Sequence, residues 1–112
     1  MIEVFVGSGL GGVIRYFVGI LISKFFHATW LATLLVNVVG SLSILFLANK
    51  VSIGDERLSR FLIVGLLGGF TTFSSFSNEV FQKISDGNYG VALMIIALNI
   101  FLGIFVGVLI FR

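Results

Sequence analysis

The polar residues of this chain gather in one stretch of an otherwise apolar segment, Gly68-Gly69-Phe70-Thr71-Thr72-Phe73-Ser74-Ser75-Phe76-Ser77-Asn78-Glu79. Thr71, Ser75 and Glu79 recur at i, i+4 and i+8, and Ser74 and Asn78 form an adjoining strip. On a helix this spacing makes a single polar stripe. Hydroxyls and amides donate hydrogen bonds without bringing a charge, which suits a partly dehydrated anion. Phe73 and Phe76 are i, i+3 neighbours on an adjacent face. Their ring edges carry partial positive charge and can face an anion while excluding water.

The double glycine and Thr71-Thr72 lie at the middle of the apolar run 61–82, so an interruption of the helix is expected near 68–72. Glycine weakens a helix and a break frees carbonyls. In a bilayer such backbone is tolerated only where it is buried or meets water or an ion, and half-helix ends at the midplane hold ions in transporters. A plain glycine kink, with hydroxyls bonded back to their own helix, is the competing explanation. The density of polar residues after the glycines favours a functional role.

Other spans contribute less. Thr33 and Asn37 share a face at i, i+4, and Asn37 lies near the middle of its span; its amide is an anion donor or an interhelical bond. Asn99 stands near the middle of the fourth span. Arg15 interrupts an apolar run, and a cation there faces a partner or water. It either bonds freed carbonyls or draws anions toward a vestibule, and the residues favour neither. Gly7-Ser8-Gly9-Leu10-Gly11-Gly12 fits the dinucleotide pattern GxGxxG, but no acid follows until Asp55 and no βαβ unit surrounds it. Close helix packing explains it better, as does the GxxxG spacing of Gly65 with Gly69 and Gly103 with Gly107. His27, the single histidine, has no acidic neighbours in sequence and reads as a surface residue.

These residues must be positioned by membrane helices. The 112 residues are 58% hydrophobic and 11% charged, against about 25% charged in soluble domains. A span needs about 20 apolar residues, and four stretches qualify: about 2–23, 29–48, 61–82 and 90–111. The expected fold is an all-α membrane protein forming one transmembrane domain over 1–112. Connections are short, with Asp55-Glu56-Arg57 expected in a solvated loop and Asp86-Gly87-Asn88 in a turn. The first stretch has no basic start and no cleavage pattern, so it is expected to be retained. Cysteine is absent, which excludes thiol chemistry. Lys50, Arg57, Arg60 and Arg112 fall on one side, and Lys24 and Lys83 on the other. This leans toward cytoplasmic termini, with insertion in both orientations still open.

Taken together, Gly11-Gly12-Val13-Ile14-Arg15-Tyr16, Thr33-Leu34-Leu35-Val36-Asn37-Val38-Val39-Gly40 and Gly65-Leu66-Leu67-Gly68-Gly69-Phe70-Thr71-Thr72-Phe73-Ser74-Ser75-Phe76 resemble the motifs of the Fluc (CrcB) family of fluoride channels. The resemblance covers most of the chain. It implies an antiparallel, dual-topology dimer of four-helix subunits with two fluoride pores, in the cell membrane, reducing fluoride toxicity by passive efflux. It also implies pore phenylalanines at Phe73 and Phe76, a pore amide at Asn37, and a polar track including Ser74, Ser75 and Glu79. Arg15 would lie near a pore mouth. Gly68 and Thr71 would offer carbonyls to a structural sodium ion on the dimer axis. Two positions depart from the pattern. Ser75 stands where threonine is common, and Ile95 where some members carry a more polar or aromatic residue.

Two other functions compete with the channel. A small proton-coupled multidrug-type transporter also has four short helices, but it needs a carboxylate deep in its first helix, and here Glu3 lies at the very start. A non-conducting partner subunit of a heterodimeric channel accounts for the glycine motifs but not for the polar stripe. An enzyme is not expected, because no nucleophile–base pair is visible.

Overall fold

The computed structural model describes residues 1–112. Helices α1 (Ile2–Phe25) and α2 (Thr29–Lys50) are followed by α3 over residues 56–70, α4 (Phe73–Ser85) and α5 (Tyr89–Phe111). Four segments are long and apolar enough to cross a membrane: Ile2–Phe25, Thr29–Lys50, Glu56–Ser85 and Tyr89–Phe111. The long dimension of 48 Å exceeds the roughly 30 Å hydrocarbon core of a bilayer. Only 11 of 112 residues are buried, so nearly all the apolar surface faces outward, where lipid rather than water must meet it.

The Asp55-Glu56-Arg57 stretch expected to be a loop instead starts α3. Asp55 caps it, its carboxylate accepting the N–H of Arg57 at 2.8 Å and of Leu58 at 3.4 Å, which satisfies two orphan donors of the first turn. Arg57 also reaches Glu3 of α1 at 3.7 Å, and Arg60 reaches Glu56 at 3.3 Å. At the other end of the third span, Gly87 has φ +77. There Asn88 N–H meets Lys83 O at 2.8 Å and Gly87 N–H meets Ile84 O at 3.0 Å, the paired closure that a left-handed glycine allows.

Two glycine seams join the helices. In the first, Gly7 and Gly11 of α1 are buried against Gly65 and Gly69 of α3. A methyl group on Gly7 would lie 2.6 Å from Phe61 O, and one on Gly69 would lie 2.8 Å from Ser8 Cα. The backbones themselves are in contact, as small-residue spacing permits. The GxGxxG run is therefore a packing surface through Gly7 and Gly11. In the second seam, Gly103 and Gly107 of α5 admit Ser41, Leu42 and Leu45 of α2.

A polar seam between α2 and α4

After Phe70 the backbone leaves helical geometry for two residues. Thr71 has φ −81, ψ 158 and Thr72 has φ −149, ψ 115, both extended. The glycines expected to cause this do not. Gly68 stays helical at φ −63, ψ −39, and Gly69 is occupied by contact with Ser8. The extended residues are held by a side chain from α2. Asn37 Oδ1 accepts the N–H of Thr72 at 2.8 Å, and Asn37 Nδ2 donates to Thr72 O at 3.1 Å. The same amide also donates to Asn99 Oδ1 at 3.1 Å. An asparagine has two N–H donors, and both are engaged by the protein.

Thr72 begins α4. Its Oγ1 accepts the N–H of Ser75 at 3.2 Å and lies 3.2 Å from both Ser74 Oγ and Ser75 Oγ. The stripe expected to run from Thr71 therefore starts one residue later, as Thr72, Ser75 and Glu79. Thr71 Oγ1 instead turns back to Leu67 O at 3.1 Å and Gly68 O at 3.4 Å. At the far end, Thr33 Oγ1 donates to Glu79 Oε1 at 2.6 Å. Glu79 Oε2 is buried with no protein partner. Thr33, 7% exposed, links α2 to the last third of the stripe.

This seam borders a cavity of about 410 Å³ lined by Arg15, Thr33, Thr72 and Ser75 together with small residues such as Gly12 and Gly19. Arg15 is half-buried, its Nε is buried without a partner, and it forms no ion pair. The cavity wall thus carries a cation without an ion-pair partner.

The expected site residues divide into two groups. Arg15, Thr33, Asn37, Ser75 and Glu79 meet along the inner seam. Phe73, at 79% exposure, Ser74 and Gly68 face outward, with Phe76 and Thr71 half-buried beside them. The rings of Phe73 and Phe76 are 5.6 Å apart at 45°, a tilted pair. Two residues gain a role that their types alone did not assign. Thr72 is both clasped and capping, and a threonine directly before a serine-rich run is the signal of such a cap. Asn99 pairs with Asn37, and the clue was two amides at mid-span. Ile95 is 0% exposed and belongs to the core.

Four helices long and apolar enough to cross a membrane, with polar groups drawn into an interhelical seam, define a small multi-pass membrane protein. Residues 2–111 match the family described as CrcB-like protein, Camphor Resistance (CrcB), and the chain belongs to that family. It is 43% identical to a fluoride-specific ion channel FluC of Sulfurihydrogenibium sp., with 96% of this chain and 92% of the relative covered. It is 41% identical to one of Flavobacterium psychrophilum, over 88% and 82% of the two chains. A third, from Coxiella burnetii, is 40% identical over 97% and 94%. These relatives carry the name of an ion channel, a class of protein that is not an enzyme.

Proposed function

We propose that this chain forms a fluoride-selective channel through which fluoride leaves the cell down its own gradient. The observation that carries the reading is the polar stripe Thr72, Ser75 and Glu79, with Thr33 bonded to Glu79, beside a cavity walled by an unpaired Arg15, in a chain whose relatives bear the name fluoride-specific ion channel. Fluoride is small and strongly hydrated, so passing it and not chloride takes closely set donors that replace its water in stages. Arg15 concentrates anions at the mouth. The hydroxyls of Ser74, Ser75 and Thr72 rotate and exchange donors among themselves. The edges of Phe73 and Phe76 face the ion where water is excluded.

The second element of the reading is an antiparallel dimer, with a second copy or a homologous subunit as partner. Ser74, Asn78 and the Gly68 backbone are exposed within a membrane-crossing segment. Lipid cannot satisfy such groups, and a partner surface can. At this surface the interruption also leaves oxygens without their helical donors. Thr72 N–H, which would reach Gly68 O in a continuous helix, goes to Asn37. Ser75 N–H, which would reach Thr71 O, goes to Thr72 Oγ1. Oxygen dipoles are the ligands that hard cations take, so Gly68 and Thr71 fit the role of carbonyl ligands to a structural sodium ion. Such an ion would supply fixed positive charge at the dimer axis. The cell membrane, with both termini on the cytoplasmic side in one orientation, is the expected location, and the basic residues at Lys50, Arg57, Arg60 and Arg112 support that side.

The test is efflux from liposomes containing the purified protein, read with a fluoride electrode beside a chloride control. Fluoride release without chloride release, abolished in Phe76→Ile, is the expected result. Equal release of both ions, or no fluoride release even with a co-expressed homologous subunit, overturns the reading.

A further inference from the structure

We propose that Gly12 and Gly19 set the bore of the cavity between α1 and α2, and that this space is the aqueous route by which a small hydrated anion travels from the membrane edge to the hydroxyls of Thr72 and Ser75. The inference rests on the channel reading above.

The glycines of α1 are of two kinds. A methyl group on Gly7 or Gly11 would run into the backbone of α3, and both are buried there. A methyl group on Gly12 would meet nothing closer than an Arg15 guanidinium nitrogen at 3.9 Å, and one on Gly19 would meet no atom within 4 Å. Packing within the subunit therefore requires no glycine at either position, and glycine is a poor residue inside a helix. What the two share is the cavity. Both line it, on either side of Arg15 at i−3 and i+4, which on a helix is one face. Ala32 of α2, also small, lines the same space. Arg15 Nε, buried without a partner, is an unused donor at that wall. The volume of about 410 Å³ compares with about 30 Å³ for one water in the liquid, so an anion can enter with much of its hydration. The lining begins at Ala28 and Thr29, where the α1–α2 connection meets α2, and reaches Thr72 and Ser75 beside the helix interruption. Exposure falls along the way, from the exposed Thr29 to Thr33 at 7% and Thr72 at 8%. The cavity thus joins the membrane edge to the place where hydroxyls take over from water. A larger side chain at Gly19 would fill this passage without touching the scaffold.

The chain has no cysteine, so Gly19→Cys introduces a single thiol. The experiment treats this variant in liposomes with a membrane-impermeant, negatively charged methanethiosulfonate, follows labelling by mass, and reads fluoride efflux before and after. Leu21→Cys, two residues on at an exposed position outside the cavity lining, is the comparison at matched depth. The thiol at position 19 is expected to react about tenfold faster or more, because the reactive thiolate forms in water and not in lipid. Labelling is expected to slow fluoride efflux about tenfold by narrowing the passage, and a reductant is expected to restore it. Gly19→Leu is expected to slow efflux by a similar factor, about tenfold, with a thermal midpoint in detergent no lower than the parent's. Adding Ile22→Ala, which returns volume to the same cavity, is expected to recover most of the lost rate. Equal labelling at the two positions, full efflux after labelling, or a rate that falls in Gly19→Leu only together with the midpoint would each overturn the proposal. The thiol result decides it even if Gly19→Leu does not fold. A parent protein that releases no fluoride would instead strike the channel reading, and labelling would still report whether the cavity is aqueous.

Discussion

The two ends of the third membrane-crossing segment are held by opposite means. Before Thr71, α3 is gripped by α1 through glycine backbones in contact, Gly7 and Gly11 against Gly65 and Gly69. After Thr72, α4 is held to α2 by directed bonds, Asn37 to Thr72 and Thr33 to Glu79. In a bilayer there is no hydrophobic drive between helices, so contact must come from close packing or from polar bonds. This chain uses the first along α3 and the second along α4. The lesson is that the scaffold half tolerates almost no change of volume and the seam half almost no change of bonding.

The sharpest way to break the contrast is Gly11→Val. Its side chain would run into the backbone of Leu66 and Phe70, so α1 and α3 must separate. The expected cost is about 3 kcal/mol or more, read as loss of the monodisperse peak in gel filtration. Asn37→Ala strikes the other half. It leaves the N–H and C=O of Thr72 unpaired, at about 3 kcal/mol for the two together. Here the folded yield survives better than in Gly11→Val while fluoride efflux is lost, and an unchanged efflux rate would refute the role given to the clasp. A smaller effect is expected from Thr33→Val, which keeps the shape and removes the bond to Glu79. A loss of about 1 kcal/mol should appear as a lower thermal midpoint in detergent, with slower fluoride efflux. Smallest for transport is Asp55→Ala, a lost cap of about 1 kcal/mol at the membrane edge. It should lower thermal stability and leave the fluoride-to-chloride ratio untouched.

The four membrane-crossing segments were legible because length and hydropathy alone decide them, and the glycine pairs were legible because GxxxG spacing has a single geometric meaning. What sequence could not assign was which polar atoms meet. The type of Asn37 suggested a pore amide, and nothing in the sequence showed that Asn99, 62 residues away, accepts a hydrogen bond from its Nδ2. Thr71 and Thr72 are adjacent and identical in type, yet one bonds back to its own helix and the other joins the seam. Likewise Gly68 and Gly69 suggest the weak point of the helix, whereas the departure comes at the threonines and the glycine at 69 makes room for the backbone of Ser8. The start of α3 was hidden for a different reason. A charged cluster resembles a loop until Asp55 is recognised as a cap.

A continuous helix has a single rotational phase, about 100° per residue at 3.6 residues per turn, so any residue gained or lost turns every face downstream. The two extended threonines cancel that inheritance. The face α4 shows to α2 is set afresh by Asn37, whatever the phase at which α3 ends. The wide π-type winding of Arg60–Leu67, which places its turns differently from an α-helix, therefore does not propagate into the seam. The interruption works as a clutch: the winding of the scaffold half and the aim of the seam are set by separate contacts.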